Sequence, residues 1–220
     1  MDTSSIMIGA GIGAVIGTIY VLRMFGWQRK LVAKVDAGDL AGARKLLQQH
    51  AKAVAPSRSF SNMKLLPQRA RVLGLWLIGD VREVAAELAM HGGGPTYLAN
   101  VHMFGTLALA TEPGADVPAL VADLEQSAAR VNTEANALQK LLKDYATMLA
   151  AAGAGLAGRQ VDPALARKLI GKVGNEPVLT RILVLRVLLL AAERAGAPSS
   201  QLHTQLRTLT RRWAPGARAA

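Results

Sequence analysis

The sequence predicts an all-α protein: an N-terminal transmembrane helix followed by stacked helical hairpins, arranged as an α-solenoid-like array or an irregular helical bundle. Three observations predict it. Residues 6–22 read IMIGAGIGAVIGTIYVL, without a charged side chain. After residue 35 alanine and leucine recur at helical spacing, alternating β-branched runs are almost absent, and aromatic residues make up only 4% of the chain. The segment GDLAGARKLLQQH beginning at Gly38 is echoed by GDVREVAAELAMH beginning at Gly79, a period expected of helix–turn–helix units. The division that follows is a membrane anchor over 1–27, a helical repeat domain over 28–213 and a flexible tail over 214–220.

In the anchor, Ile6 to Leu22 as a helix spans about 26 Å, a little short of a hydrocarbon core of roughly 30 Å. Arg23 can snorkel, Met24 to Trp27 extend the apolar length, and Tyr20 and Trp27 then fall near one interface. The residues before the apolar run include Asp2 and no Lys or Arg, which argues against a cleaved signal peptide. Positive charge follows the run, so the positive-inside rule places the N-terminus outside and the C-terminal domain in the cytoplasm. Gly9, Gly13 and Gly17 recur every fourth residue and would give the membrane helix a flat packing face for another helix. The formal net charge is +11, and much of the excess lies between Arg23 and Arg71. Arg23, Arg29, Lys30 and Lys34 are the residues expected to touch an anionic lipid surface.

Two other readings compete for these segments. Gly9, Gly11 and Ala14 match G-x-G-x-x-A, and Asp36 lies downstream where an NAD(P)- or FAD-type dinucleotide-binding enzyme places a ribose-binding acid. That fold needs parallel strands, and only VLGLWLI at 72–78 offers an ambiguous candidate. The basic stretch could instead contact nucleic acid, but its place beside an apolar helix fits lipid better.

In the body, Asp39, Asp80, Asp116 and Asp162 stand where a carboxylate can cap the second helix of a pair. Gly38 and Gly79 stand where a left-handed residue can end the first. Pro118 and Pro163 fall near the first helical position, where a missing N–H is harmless. The predicted pairs are 28–37 with 40–53, 63–78 with 81–91, 96–111 with 117–131, 133–152 with 163–173, and 178–195 with 200–213. The GD-x-x-x-[AV]-x-x-x-L pattern resembles the turn and second helix of tetratricopeptide-like repeats. The resemblance implies a protein-binding scaffold. ILVLRVLLLAA at 182–192 is too short to span a membrane and contains Arg186, so a buried final helix is expected.

No catalytic, cofactor-binding or metal-binding residue is predicted. The chain has no cysteine, which excludes disulfides, thiolate nucleophiles and cysteine-based zinc sites. His50 and His91 are expected at equivalent helix ends, where an imidazole meets the negative end of the helix dipole. His91 with Gly92 to Gly94 looks like an esterase oxyanion loop, but no G-x-S-x-G accompanies it. The expected function is therefore a single-pass membrane-anchored adaptor whose helical repeats hold a protein partner in or at the membrane. A second copy of the chain is a further candidate partner for the glycine face.

Overall fold

A computed structural model describes residues 26–54, 65–90 and 93–213 of the chain, and among these every regular element is helical. Helix α1 occupies 26–36. It is followed by α2 (Leu40–Val54), α3 (Leu65–Ile78), α4 (Val81–Ala89), α5 (Pro95–Tyr97), a π-turn (Leu98–His102) that continues directly into α6 (Met103–Ala110), α7 (Val117–Glu134), a 3₁₀ turn (Ala137–Gln139), α8 (Lys140–Leu156), α9 (Pro163–Val173), α10 (Val178–Arg194) and α11 (Ser200–Leu209).

The predicted hairpins are present, and their turns work as the residues suggest. Gly38 has φ +76° and Gly79 φ +88°. At Gly38 the turn is closed by Gly38 N–H to Val35 O and Asp39 N–H to Lys34 O; at Gly79, by Gly79 N–H to Trp76 O and Asp80 N–H to Leu75 O. This pairing satisfies the last carbonyls of a helix through one left-handed residue. The other left-handed glycines, Gly114, Gly158 and Gly196, lie in the corresponding turns of the later hairpins. Asp39, Asp116 and Asp162 accept from the backbone N–H of Gly42, Ala119 and Ala164. Asp80 makes no such bond. Its carboxylate faces Arg44 of α2, with Arg44 Nε donating at 2.9 Å and Nη2 donating to the other oxygen. The helix starting at 133 is also displaced: α7 runs on to Glu134, and α8 begins at Lys140.

The way these hairpins pack selects the bundle over the solenoid. In a solenoid each unit meets only its neighbours. Here α10 packs against α3, α6 and α8 as well as α9 and α11. The first helices of the later pairs therefore form an inner group, and they are apolar around most of their circumference, as burial on every side demands. In α3 the buried residues run from Val72 continuously to Ile78, and in α10 from Ile182 to Leu185 and Val187 to Leu189. The second helices lie outside and bury one stripe each, Val84 in α4, Leu169 and Val173 in α9, and Leu206 in α11. Helix α1 is tied to α10 and to the segment after α11: Gln28 Oε1 accepts from Leu179 N at 3.4 Å, and Asp36 Oδ1 accepts from Thr210 Oγ1 at 2.7 Å and Arg211 N at 2.8 Å.

Two expectations are corrected. Among the described residues no helix is long and apolar enough to cross a membrane, so the N-terminal transmembrane helix is not supported, and the single-pass topology with a cytoplasmic C-terminal domain falls with it. The run Ile6–Leu22, with Gly9, Gly13, Gly17 and Arg23, lies outside the described residues. Trp27, expected at a membrane interface, instead belongs to the protein core: it is 9% exposed, and its ring centroid lies 4.2 Å from that of His50. The most apolar described stretch, in α10, is covered by protein on its several sides, which accounts for its hydropathy without lipid. Of the dinucleotide reading, Gly9, Gly11 and Ala14 lie outside the described residues, and the two features inside them read differently. Residues 72–78 are the buried half of α3, and Asp36 is occupied in holding the C-terminal segment.

Candidate docking surface

The polar clusters of the domain are ties between helices. Arg69 of α3, 3% exposed, pairs with Glu176 in the turn before α10 at 2.5 Å. Its guanidinium carbon lies 4.8 Å from the Phe104 ring centroid, and Tyr145 Oη donates to Glu176 Oε1 at 3.5 Å. Burial, with the Glu176 charge beside it, raises the Tyr145 hydroxyl well above its ordinary value. Together these groups join α3, α6, α8 and the turn leading into α10.

Where the π-turn meets α6, His102 Nε2 lies 2.9 Å from Asp123 Oδ2 of α7, and Thr106 Oγ1 donates to the same oxygen at 3.1 Å. The hydrogen bond from His102 holds the Asp123 carboxyl below the ordinary aspartate value against the opposing effect of burial. A histidine, an aspartate and a hydroxyl invite a catalytic reading, but the hydroxyl donates to the carboxylate. Nucleophilic activation needs it bonded to the imidazole. The cluster clamps α6 to α7. Arg71 pairs with Glu87 at 2.8 Å and so joins α3 to α4.

The sequence-predicted contact residues separate. Arg29 and Lys30 are exposed on α1, while Lys34 is engaged with Asp39 at 2.6 Å. Arg23 and the three glycines lie outside the described residues, as does His91. His50 lies within α2, and its expected helix-end position is replaced by the stack on Trp27.

The junction of α7 and α8 has a different character. Glu134, the last residue of α7, accepts from Arg130 at 2.5 Å. Ala135 turns to extended backbone with φ −71° and ψ 135° and stays buried, and Asn136 follows with φ −72° and ψ 172°. The chain then leaves the core for one short turn. Leu138 is 95% exposed and Leu141 66% exposed, three residues apart, beside the exposed Lys140. Leu142, Tyr145 and Ala146 behind them pack against the core, so the base of the projection is anchored. The helices on either side, α7 and α8, make the most extensive helix–helix contact of the domain. Two leucines held in water on a rigid base each leave roughly 1.5–3 kcal/mol of transfer free energy to be recovered by a partner that buries them.

In the sequence nothing distinguishes Leu138 and Leu141 from buried helical leucines. Leu138, Leu142, Tyr145 and Leu149 read as one continuous helical face, and only the break at 135–139 throws Leu138 off it. Comparison of the chain with family models, with curated proteins and with solved structures finds no match.

Proposed function

We propose that this chain is a non-catalytic helical scaffold that docks an acidic protein partner on the Leu138–Leu141 projection. The observation that carries the reading is the exposure of these two leucines on an anchored turn. Scattered exposed leucines are ordinary, but Leu138 and Leu141, three residues apart on one anchored turn, together offer an apolar surface that a partner can cover. The formal charge of +11 on the whole chain favours long-range encounter with an acidic partner, and Lys140 stands exposed beside the projection. The hairpin scaffold suits this role because the projection is built on packed helices, which keeps the ordering cost of binding low.

The test uses a photo-crosslinking residue placed at Leu138 of the full chain in its native cell, with one at the exposed Thr204 on α11 as control. The expected result is a crosslink to an acidic protein at position 138, absent at position 204, lost in the L138D/L141D double variant and weakened by salt. A product common to both positions would overturn the proposal. So would a homodimer in sedimentation that L138D/L141D dissociates, because the surface would then serve self-association.

A further inference from the structure

The inner helices stand side by side and point the same way. Near the ends of α3 and α6, Trp76 Nε1 donates to Thr111 Oγ1 at 3.1 Å; nearer their starts, the Arg69 guanidinium carbon lies 4.8 Å from the Phe104 ring centroid. From α6 to α8 the Phe104 and Tyr145 ring centroids are 5.7 Å apart, and further along both helices a methyl group at Gly153 would come within 3.3 Å of Leu107. From α8 to α10, Tyr145 Oη donates to Glu176 ahead of α10, and further along Gly155 faces Ala191. In the first hairpin Arg44 meets Asp80, and Leu47 packs at Gly74, further from both turns. The turns at Gly38, Gly79, Gly114, Gly158 and Gly196 therefore gather at one end of the bundle, and the connections between hairpins gather at the other.

The two ends differ in chemistry. Among the described residues the large apolar side chains left exposed are Leu66 at 38%, Met90 at 67%, Leu138 and Leu141. All four lie at the connection end: at the start of α3, at the end of α4, and at the junction of α7 with α8. Charge divides in the same sense. The aspartates at the helix starts, Asp39, Asp80, Asp116 and Asp162, belong to the glycine end. At the connection end Arg29, Lys30 and Lys140 are exposed against Asp144, while Glu87, Glu134 and Glu176 are held by Arg71, Arg130 and Arg69. Helix α6 packs against both α3 and α8. Two interhelical steps put Leu66 and Leu141 about 20 Å apart, within the footprint of one partner in a standard interface, about 800 Å² a side.

We propose that the connection end is one docking surface, on which the acidic partner covers Leu66 and Met90 together with Leu138 and Leu141. The inference rests on the reading of Leu138 and Leu141 as a docking projection and extends it to the partner's footprint. The exposed apolar side chains supply anchors, and Arg29, Lys30 and Lys140 around them supply the charge that an acidic surface complements. The glycine end, where the capping aspartates lie, is left free.

The experiment adds photo-crosslinking positions to the full chain in its native cell: Met90 at the connection end, and the exposed Ala119 at the glycine end as control. The expected result is that position 90 captures the same acidic protein as position 138, and that position 119 does not. Met90→Asp should weaken capture from position 138 about tenfold, the loss of one buried apolar anchor, and Arg29→Glu with Lys30→Glu should weaken it as well. All three residues are exposed, so the melting temperature of these variants should match the parent. Capture at 138 that is absent at 90, or that is indifferent to all three substitutions, overturns the wider surface and leaves the Leu138–Leu141 reading standing. A different protein captured at 90 overturns it in the same way, as does a crosslink from 90 to residues 1–25 or 55–64 of the same chain. No capture at 138 overturns both.

Discussion

Arg69 and Glu176 stand 107 residues apart in the chain and 2.5 Å apart in the fold, with the arginine 3% exposed. Their ion pair joins α3 to the turn before α10, two elements that a linear array of repeats would keep apart. Removing Glu176 leaves a buried guanidinium without its carboxylate. Glu176→Ala is expected to destabilise the domain by about 3 kcal/mol, as for one partner of a buried pair. Arg69→Met, which removes the charge and keeps the bulk, is expected to cost less. Chemical denaturation of the two variants checks the order; equal and small losses would show that the pair does not hold the closure.

The aspartates at the helix starts divide into two kinds. Asp116→Ala and Asp162→Ala each remove an accepted backbone bond and are expected to cost ~1 kcal/mol in denaturation experiments. Asp80 bonds Arg44 instead. Asp80→Ala and Arg44→Ala are therefore expected to be non-additive in a double-mutant cycle, whereas Asp80→Ala and Asp162→Ala add.

His50 is expected to make stability fall on mild acidification. Burial, helped by the nearby Arg71 charge, lowers its value from the ordinary 6.5. Above that value both folded and unfolded chains carry neutral His50. As the pH falls below 6.5 the unfolded chain takes the proton first, so unfolding gains until the folded value is reached. Unfolding midpoints measured between pH 8 and 5, roughly the range in which histidine titrates, should decline in the parent. They should decline less in His50→Phe, which keeps a ring against Trp27. An identical decline in both would remove His50 as the cause.

Asp123 acts at lower pH. Its carboxyl is held below the ordinary 3.8, chiefly by the hydrogen bond from His102. Its contribution is therefore present above 3.8 and is lost as the pH falls through the lower, folded value. Asp123→Asn should remove that acid-limb dependence and loosen α6 against α7, which amide exchange of the residues in the π-turn would report.

Asp36→Ala is expected to free the C-terminal segment, since one oxygen accepts from both Thr210 and Arg211. The packing of Trp213 on Trp76 should then weaken, shifting tryptophan emission to the red while helical content is kept. Unchanged emission would mean that Arg212 and Trp213 hold the segment without Asp36.

Local structure was legible in the sequence wherever its causes lie within a few residues. Gly38 and Gly79 end helices because only glycine takes a left-handed turn without strain, and Asp39, Asp116 and Asp162 cap helices because the donors they need are two or three residues away. The hairpin order follows from such signals. What they do not contain is the identity of a distant partner. Asp80 looks like Asp39 in sequence, yet Arg44 reaches it across the hairpins and takes the carboxylate. Asp36 resembles a ribose-binding acid until Thr210 and Arg211 are seen to hold it. Trp27 reads as the end of an apolar anchor, and its burial against His50 depends on α2 folding back over α1. The exposure of Leu138 depends on a break in helical phase at 135–139, set by where α7 stops packing. Helix starts and stops are decided by bonds within one turn, whereas closure of the bundle and exposure of its leucines are decided by which surfaces compete for burial, and that competition exists only in the folded chain.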